Sequence, residues 1–160
     1  MTGAPVLAGR AALRSGAGRV TIGCHPDNQT STASHTPELM VVGLRTPRQL
    51  KDLLARSDAV VIGPGLGQDA WAREVYSTSR DYDVRKVLDA DALNLLAARP
   101  VEVRSAVLTP HPGEAGRLGK MDTSKVQGNR PAVAETLAAQ LGEVCVLKGA
   151  GTLVAQAQKP

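Results

Sequence analysis

Phenylalanine is absent from this sequence of 160 residues, and tryptophan and tyrosine together account for only three positions. A core must therefore be built from aliphatic Val, Leu, Ile and Ala, and the stacking platforms that hold single-stranded nucleic acid are not available. Cysteine is nearly absent too: Cys24 and Cys145 stand far apart in apolar runs, with no C-x-x-C and no Cys/His cluster. That excludes a disulfide framework or a zinc site and predicts two reduced core thiols. No apolar run reaches membrane-spanning length, and the N-terminus lacks the charged-then-apolar pattern of a secretion signal. A cytoplasmic protein without membrane or nucleic-acid partners is the expectation. The net charge of +4 comes from scattered basic residues such as Arg10, Arg45 and Lys51, which suits a solvated surface with mild attraction for anions.

Short apolar runs alternate with helical patterns. Helices are predicted over Pro5 to Ser15, from Thr46-Pro47 through Leu54, over Asp69 to Thr78, Ala92 to Ala98, Glu114 to Leu118 and Pro131 to Leu141. Strands are predicted over Val20 to Cys24, Leu39 to Val42, Ala59 to Ile62, Lys86 to Leu88 and Ala106 to Leu108, with a hairpin from Val144–Leu147 to Thr152–Ala155. His25 to Pro37 reads as a long polar loop. Ala59 to Ile62, apolar throughout, predicts a strand buried on both faces. This alternation implies an α/β fold with a mostly parallel sheet and helices on both faces. The chain opens on a helix with no strand before it and closes at Lys159-Pro160 straight after a hairpin. A single domain over residues 1–160, incomplete at both ends, is the expectation.

The motifs with chemical content fall where strands end. Gly63-Pro64-Gly65-Leu66-Gly67 leads into a helix, where backbone amides can approach a phosphate or where glycine simply allows a tight turn. It is not the dinucleotide fingerprint G-x-G-x-x-G, because Gln68 stands where the third glycine belongs. Asp89-Ala90-Asp91 with Asn94 is suited to holding magnesium through water, accepting ligand hydroxyls or capping the next helix; capping is favoured for Asp91. His111, between Pro110 and Pro112, is fixed at a strand end where it can touch a ligand, and Glu114 suits the first helical turn. Lys148-Gly149-Ala150-Gly151-Thr152 offers a cation and several amides to a phosphate, though a hairpin needs glycine in any case. It lacks the spacing of a Walker A loop.

In this order the motifs resemble the ADP- or ATP-dependent NAD(P)H-hydrate dehydratases, which have a ribokinase-like fold. The resemblance also takes in Gly3-Ala4, the helix through Ala11-Ala12-Leu13-Arg14-Ser15-Gly16, and Pro37-Glu38-Leu39-Met40-Val41. It implies a hydro-lyase that returns (S)-NAD(P)H hydrate to NAD(P)H with ADP or ATP and Mg2+. It further implies that Ala4, Gly65, Gly67 and His111 contact the hydrate and Lys148 to Thr152 the adenine nucleotide, with Asp89, Asp91, Asn94 and Glu114 in support. The family's catalytic Asp lies in a G-x-G-D segment after the hairpin; no such segment follows Thr152, so that residue is expected beyond Pro160. A homo-oligomer is expected. Two other readings are a ribokinase-like kinase of a vitamin precursor and an inactive nucleotide-binding fragment with exposed sheet edges.

Overall fold

A computed structural model describes residues 2–34 and 36–157. Lys159 and Pro160, on which part of the expectation of an incomplete domain rests, lie outside them. Helix α1 (Gly3–Arg14) leads into β1 (Thr21–Cys24), which pairs in parallel with β2 (Met40–Gly43). Between these strands the predicted loop is helical instead: a 3-10 turn over Pro26–Asn28 runs into α2 (Gln29–Ala33). The Ser/Thr-rich composition hid this, because the helix is fixed from outside its own sequence. Thr32 is buried, and the Gln29 side chain lies so close to the Cα of Gly43 in β2 that a Cβ there would collide with it.

Helix α3 (Pro47–Leu54) begins where Thr46-Pro47 predicts. The Thr46 hydroxyl accepts from the Gln49 amide at 3.3 Å, and the Gln49 side chain accepts in return from the Thr46 amide at 3.2 Å. Five further strands form the main sheet: β3 (Ala59–Ile62), β4 (Arg85–Leu88), β5 (Ala106–Leu108), β6 (Val144–Leu147) and β7 (Leu153–Gln156), hydrogen-bonded in that order. The first four are parallel, and β7 returns antiparallel to β6 as the predicted hairpin. The connecting helices are α4 (Ala70–Asp81), α5 (Asp91–Ala98), α6 (Pro112–Leu118), α7 (Thr123–Gly128) and α8 (Arg130–Leu141). Helix α7 was not legible in the sequence: its six residues TSKVQG bury only Val126, too little for an apolar periodicity.

The mostly parallel α/β architecture stands as expected, but the expectation of helices on both faces does not hold for the main sheet. Because the order β3-β4-β5-β6 never reverses, right-handed crossovers place their helices on one side of the sheet. Ile62, Leu88, Leu108 and Leu147 face that side and form the main core with Leu93, Leu96 and Leu137. Cys145 joins them, and burial pushes its thiol up to about 11, as expected of an inert core cysteine. Lys86 is the surprise in this interior. It is 4% exposed, and its ammonium donates to the carbonyls of Tyr82 (3.0 Å) and Arg104 (3.1 Å) below the sheet.

The opposite face carries Val61, Val87, Val107, Val144, Val146 and Val154, aligned across the sheet by the strand register. None of these valines belongs to a helix-covered cluster. The expectation that β3 is buried on both faces is therefore wrong: Val61 is 53% exposed, and Val154, on the same face at the opposite edge of the sheet, 69%. An open β-branched face of this extent drives association. The isolated chain is expected to self-associate with rising concentration in sedimentation velocity, and Val61→Lys with Val154→Lys to shift it toward monomer. A wild-type chain that stays monomeric at every concentration would contradict this.

Candidate functional site

The sheet's hydrogen bonding continues past the strand ends and so places the loops. Asp89 donates its amide to Ile62 O (3.1 Å), Thr109 to Leu88 O (3.1 Å) and Lys148 to Pro110 O (2.8 Å). Each first loop residue is thus held by the neighbouring strand or loop, and the residues after β3, β4, β5 and β6 gather at the carboxyl edge of the sheet. This is where open parallel sheets take ligands.

At the centre, Lys148 Nζ donates to Asp89 Oδ1 at 2.6 Å and lies 3.9 Å from Glu114 Oε2. The Lys148 side chain is 41% exposed, whereas Glu114 is buried. Glu114 is more than a local helix residue. Its Oε2 accepts from the His111 amide at 2.8 Å while facing Lys148, so one carboxylate joins the loops after β5 and β6. The histidine completes the reciprocal cap of α6: its Nδ1 accepts from the amides of Gly113 (3.0 Å) and Glu114 (3.4 Å). With Nδ1 occupied as an acceptor, the ring proton is assigned to Nε2, which lies 3.5 Å from Glu114 Oε1 on a half-exposed ring.

Between the two aspartates, Ala90 adopts φ 47° and ψ −117°. This conformation costs an L-residue about 1–3 kcal/mol, and such strain persists only where the surroundings enforce it. Here the two carboxylates take separate tasks. Asp89 holds Lys148, and Asp91 Oδ2 accepts from the Gly67 amide at 2.8 Å. Asp91 therefore does not cap its own helix, the role favoured for it from the sequence; it ties the glycine loop after β3 to the start of α5. The Leu66 amide likewise turns inward, to Gly63 O at 3.0 Å. Asn94 is engaged across the helices, its Oδ1 accepting from Arg117 Nε at 2.9 Å. Ala4, in the first turn of α1, has no hydrogen bond to any of these groups and sits with the β1–β2 pair.

The loop from Lys148 to Thr152 has a different character. The amides of Gly149, Ala150, Gly151 and Thr152 donate to no protein acceptor among the described residues, and all four residues are exposed. Exposed, unpaired amides beside an ammonium are the kind of backbone that suits an anion. Sequence reasoning missed Arg130, whose guanidinium reaches the carbonyls of Leu147 (3.2 Å) and Gly151 (3.1 Å) from the start of α8. Its only sequence signal was a basic residue after Asn129 at a helix start. The described residues hold no group of three or more His, Cys, Asp or Glu side chains able to bind a metal, and no helix long and apolar enough to cross a membrane.

Comparison with known proteins shows the family and the fold. A family model described as NAD(P)H-hydrate dehydratase matches residues 1–160. The bifunctional NAD(P)H-hydrate repair enzyme Nnr of Coxiella burnetii is 43% identical over 154 residues, which cover 96% of this chain and 32% of that protein. Among solved structures, a ribokinase-like superfamily protein of Enterococcus faecalis superposes with a TM-score of 0.85 at 28% identity, covering 97% of this chain and 56% of the other. The ADP/ATP-dependent NAD(P)H-hydrate dehydratase of Bacillus subtilis, co-crystallized with ATP/Mg2+, gives a TM-score of 0.80 at 34% identity, covering 98% of this chain and 56% of the other. The fold is ribokinase-like, and the chain spans about a third of the curated Coxiella relative.

Proposed function

Because the chain belongs to the NAD(P)H-hydrate dehydratase family, we propose that its strand-end loops bind the reactants of an ADP- or ATP-dependent dehydration of (S)-NAD(P)H hydrate. The carrying observation is the junction of Lys148 with Asp89 and Glu114, which brings the loops after β4, β5 and β6 to one point. On one side of it, Lys148 and the amides of Gly149 to Thr152 take the adenine nucleotide's phosphates. On the other, the Nε2–H of His111 donates to the hydrate dinucleotide, with Gly65 and Gly67 lining its approach and Ala4 contributing from α1. Asp89 and Glu114 hold the lysine in place, Asp91 holds the glycine loop, and Asn94 braces α5 against α6.

These residues bind and orient; none is placed to serve as the base on the hydrate's hydroxyl, since both aspartates are committed elsewhere. With no metal-holding trio among the described side chains, magnesium is read as arriving on the nucleotide's phosphates, the usual arrangement for this ion. ADP or ATP is a co-substrate in this scheme.

Titration calorimetry of the chain with ADP and magnesium, and separately with NADPH hydrate, tests the proposal. Binding of both ligands at separate, compatible sites is expected. Binding of neither ligand would sink it. Phosphorylation of a vitamin precursor without any affinity for the hydrate would replace it with the kinase reading.

A further inference from the structure

Arg130 opens α8, where Asn129 caps the helix by accepting the Ala132 amide at 3.3 Å. Its Nη2 donates to Leu147 O (3.2 Å) and Gly151 O (3.1 Å), with Lys148 O at the limit of hydrogen bonding (3.5 Å). Nη1 reaches the Gln127 side-chain oxygen at 3.4 Å. These carbonyls stand on both sides of the turn that joins β6 to β7, so one nitrogen, Nη2, spans the turn's two legs. The fit is close. A Cβ on Gly149 would overlap Arg130 Nη1, and Gly149 has φ 150°, so the absence of a side chain there admits both the backbone path and the guanidinium.

We propose that Arg130 is the positioning residue of the 148–152 loop, an inference that rests on reading this loop as the nucleotide-phosphate site. A carbonyl oxygen repels a phosphate and an amide attracts it, so the loop can serve an anion only if its carbonyls are turned away. Arg130 gathers the carbonyls of Leu147 and Gly151 on the α8 side. Among the described residues the amides of Gly149 to Thr152 are left without protein partners, and Lys148 stays beside them. The fixed positive charge behind the loop also adds to the attraction. A lysine ammonium could reach these carbonyls in place of Nη2 but lacks the second nitrogen that reaches Gln127, so it should reproduce the arrangement only in part.

The test compares wild type with Arg130→Met and Arg130→Lys by three measurements. ADP affinity and NADPH-hydrate affinity are read by calorimetry, and amide hydrogen exchange of residues 148–152 by mass spectrometry. Melting curves confirm that each variant is folded at the assay temperature, and Arg130→Lys supplies a milder change if Arg130→Met does not fold. Arg130→Met is expected to weaken ADP binding about tenfold or more, as for loss of charge-assisted hydrogen bonds. It should speed exchange in the loop and leave hydrate affinity unchanged; Arg130→Lys should recover part of the ADP affinity. ADP binding within twofold of wild type in Arg130→Met, or an equal loss for both ligands, would overturn this inference alone. A wild-type chain that binds no ADP would overturn the nucleotide reading and this inference with it.

Discussion

Gly63→Ala is expected to destabilise the fold by roughly 2–5 kcal/mol, the largest effect of any single methyl group added to the strand-end loops. The amount is the sum of a left-handed backbone cost of about 1–2 kcal/mol and overpacking of about 1–3 kcal/mol. Gly63 has φ 123°, and a Cβ built there would overlap the Asp89 carbonyl oxygen and crowd the Ala92 amide, a hydrogen-bonded pair at 3.1 Å. Both are backbone atoms at the entry to α5, so no side-chain rotation can relieve the contact. The sequence suggested that these glycines admit a phosphate. At Gly63 the close neighbour is the protein's own chain, and the residue's first task is to let β3 and the start of α5 approach. Urea denaturation of Gly63→Ala beside Gly128→Ala is the measurement. Gly128 ends α7 with nothing within 4 Å of an added Cβ, so its alanine variant should lose nothing. Equal midpoints for the two variants would refute the packing argument.

Lys148→Met should lower ADP affinity by one to two orders of magnitude, in line with about 1.5–3 kcal/mol for a hydrogen bond to a charged group, while stability falls much less. The lysine is part-exposed, and ion pairs with water at hand contribute little to folding. Its importance lies in where the charge is held: Asp89 bonds the ammonium at 2.6 Å and Glu114 flanks it at 3.9 Å. An arriving phosphate therefore meets an oriented cation with most of its side-chain entropy already lost. Calorimetry with ADP, paired with a thermal melt, separates the two effects. A variant that keeps wild-type ADP affinity would remove Lys148 from the nucleotide site, and one that loses stability and affinity in proportion would make its role structural.

Local signals carried much of the architecture into the sequence. Thr46-Pro47 with Gln49 specified the start of α3 through its own hydrogen bonds, and the apolar runs ending at Ile62, Leu88, Leu108 and Leu147 specified strands of the main core. The loops that follow those runs stood out because glycine, proline, aspartate and lysine at a strand end have few purely structural reasons to occur together in that order. Helices α2 and α7 were missed because each is short and is fixed by neighbours distant in sequence, as Gln29 is by Gly43.

What the sequence by itself determined was the alternation of strands and helices, the aliphatic core and the list of residues gathered at the carboxyl edge. Those features depend on period, residue type and nearest-neighbour hydrogen bonds. Only the tertiary structure decided which groups meet. It sent Asp89 to Lys148 and Asp91 to Gly67 through the strained backbone of Ala90, set Glu114 between His111 and Lys148, and placed Arg130 behind the 148–152 loop. It also opened the valine face that apolar runs alone predicted to be covered. Each of these depends on pairing across 17 or more residues, as between Arg130 and Leu147, or on the unreversed strand order, neither of which any local pattern encodes.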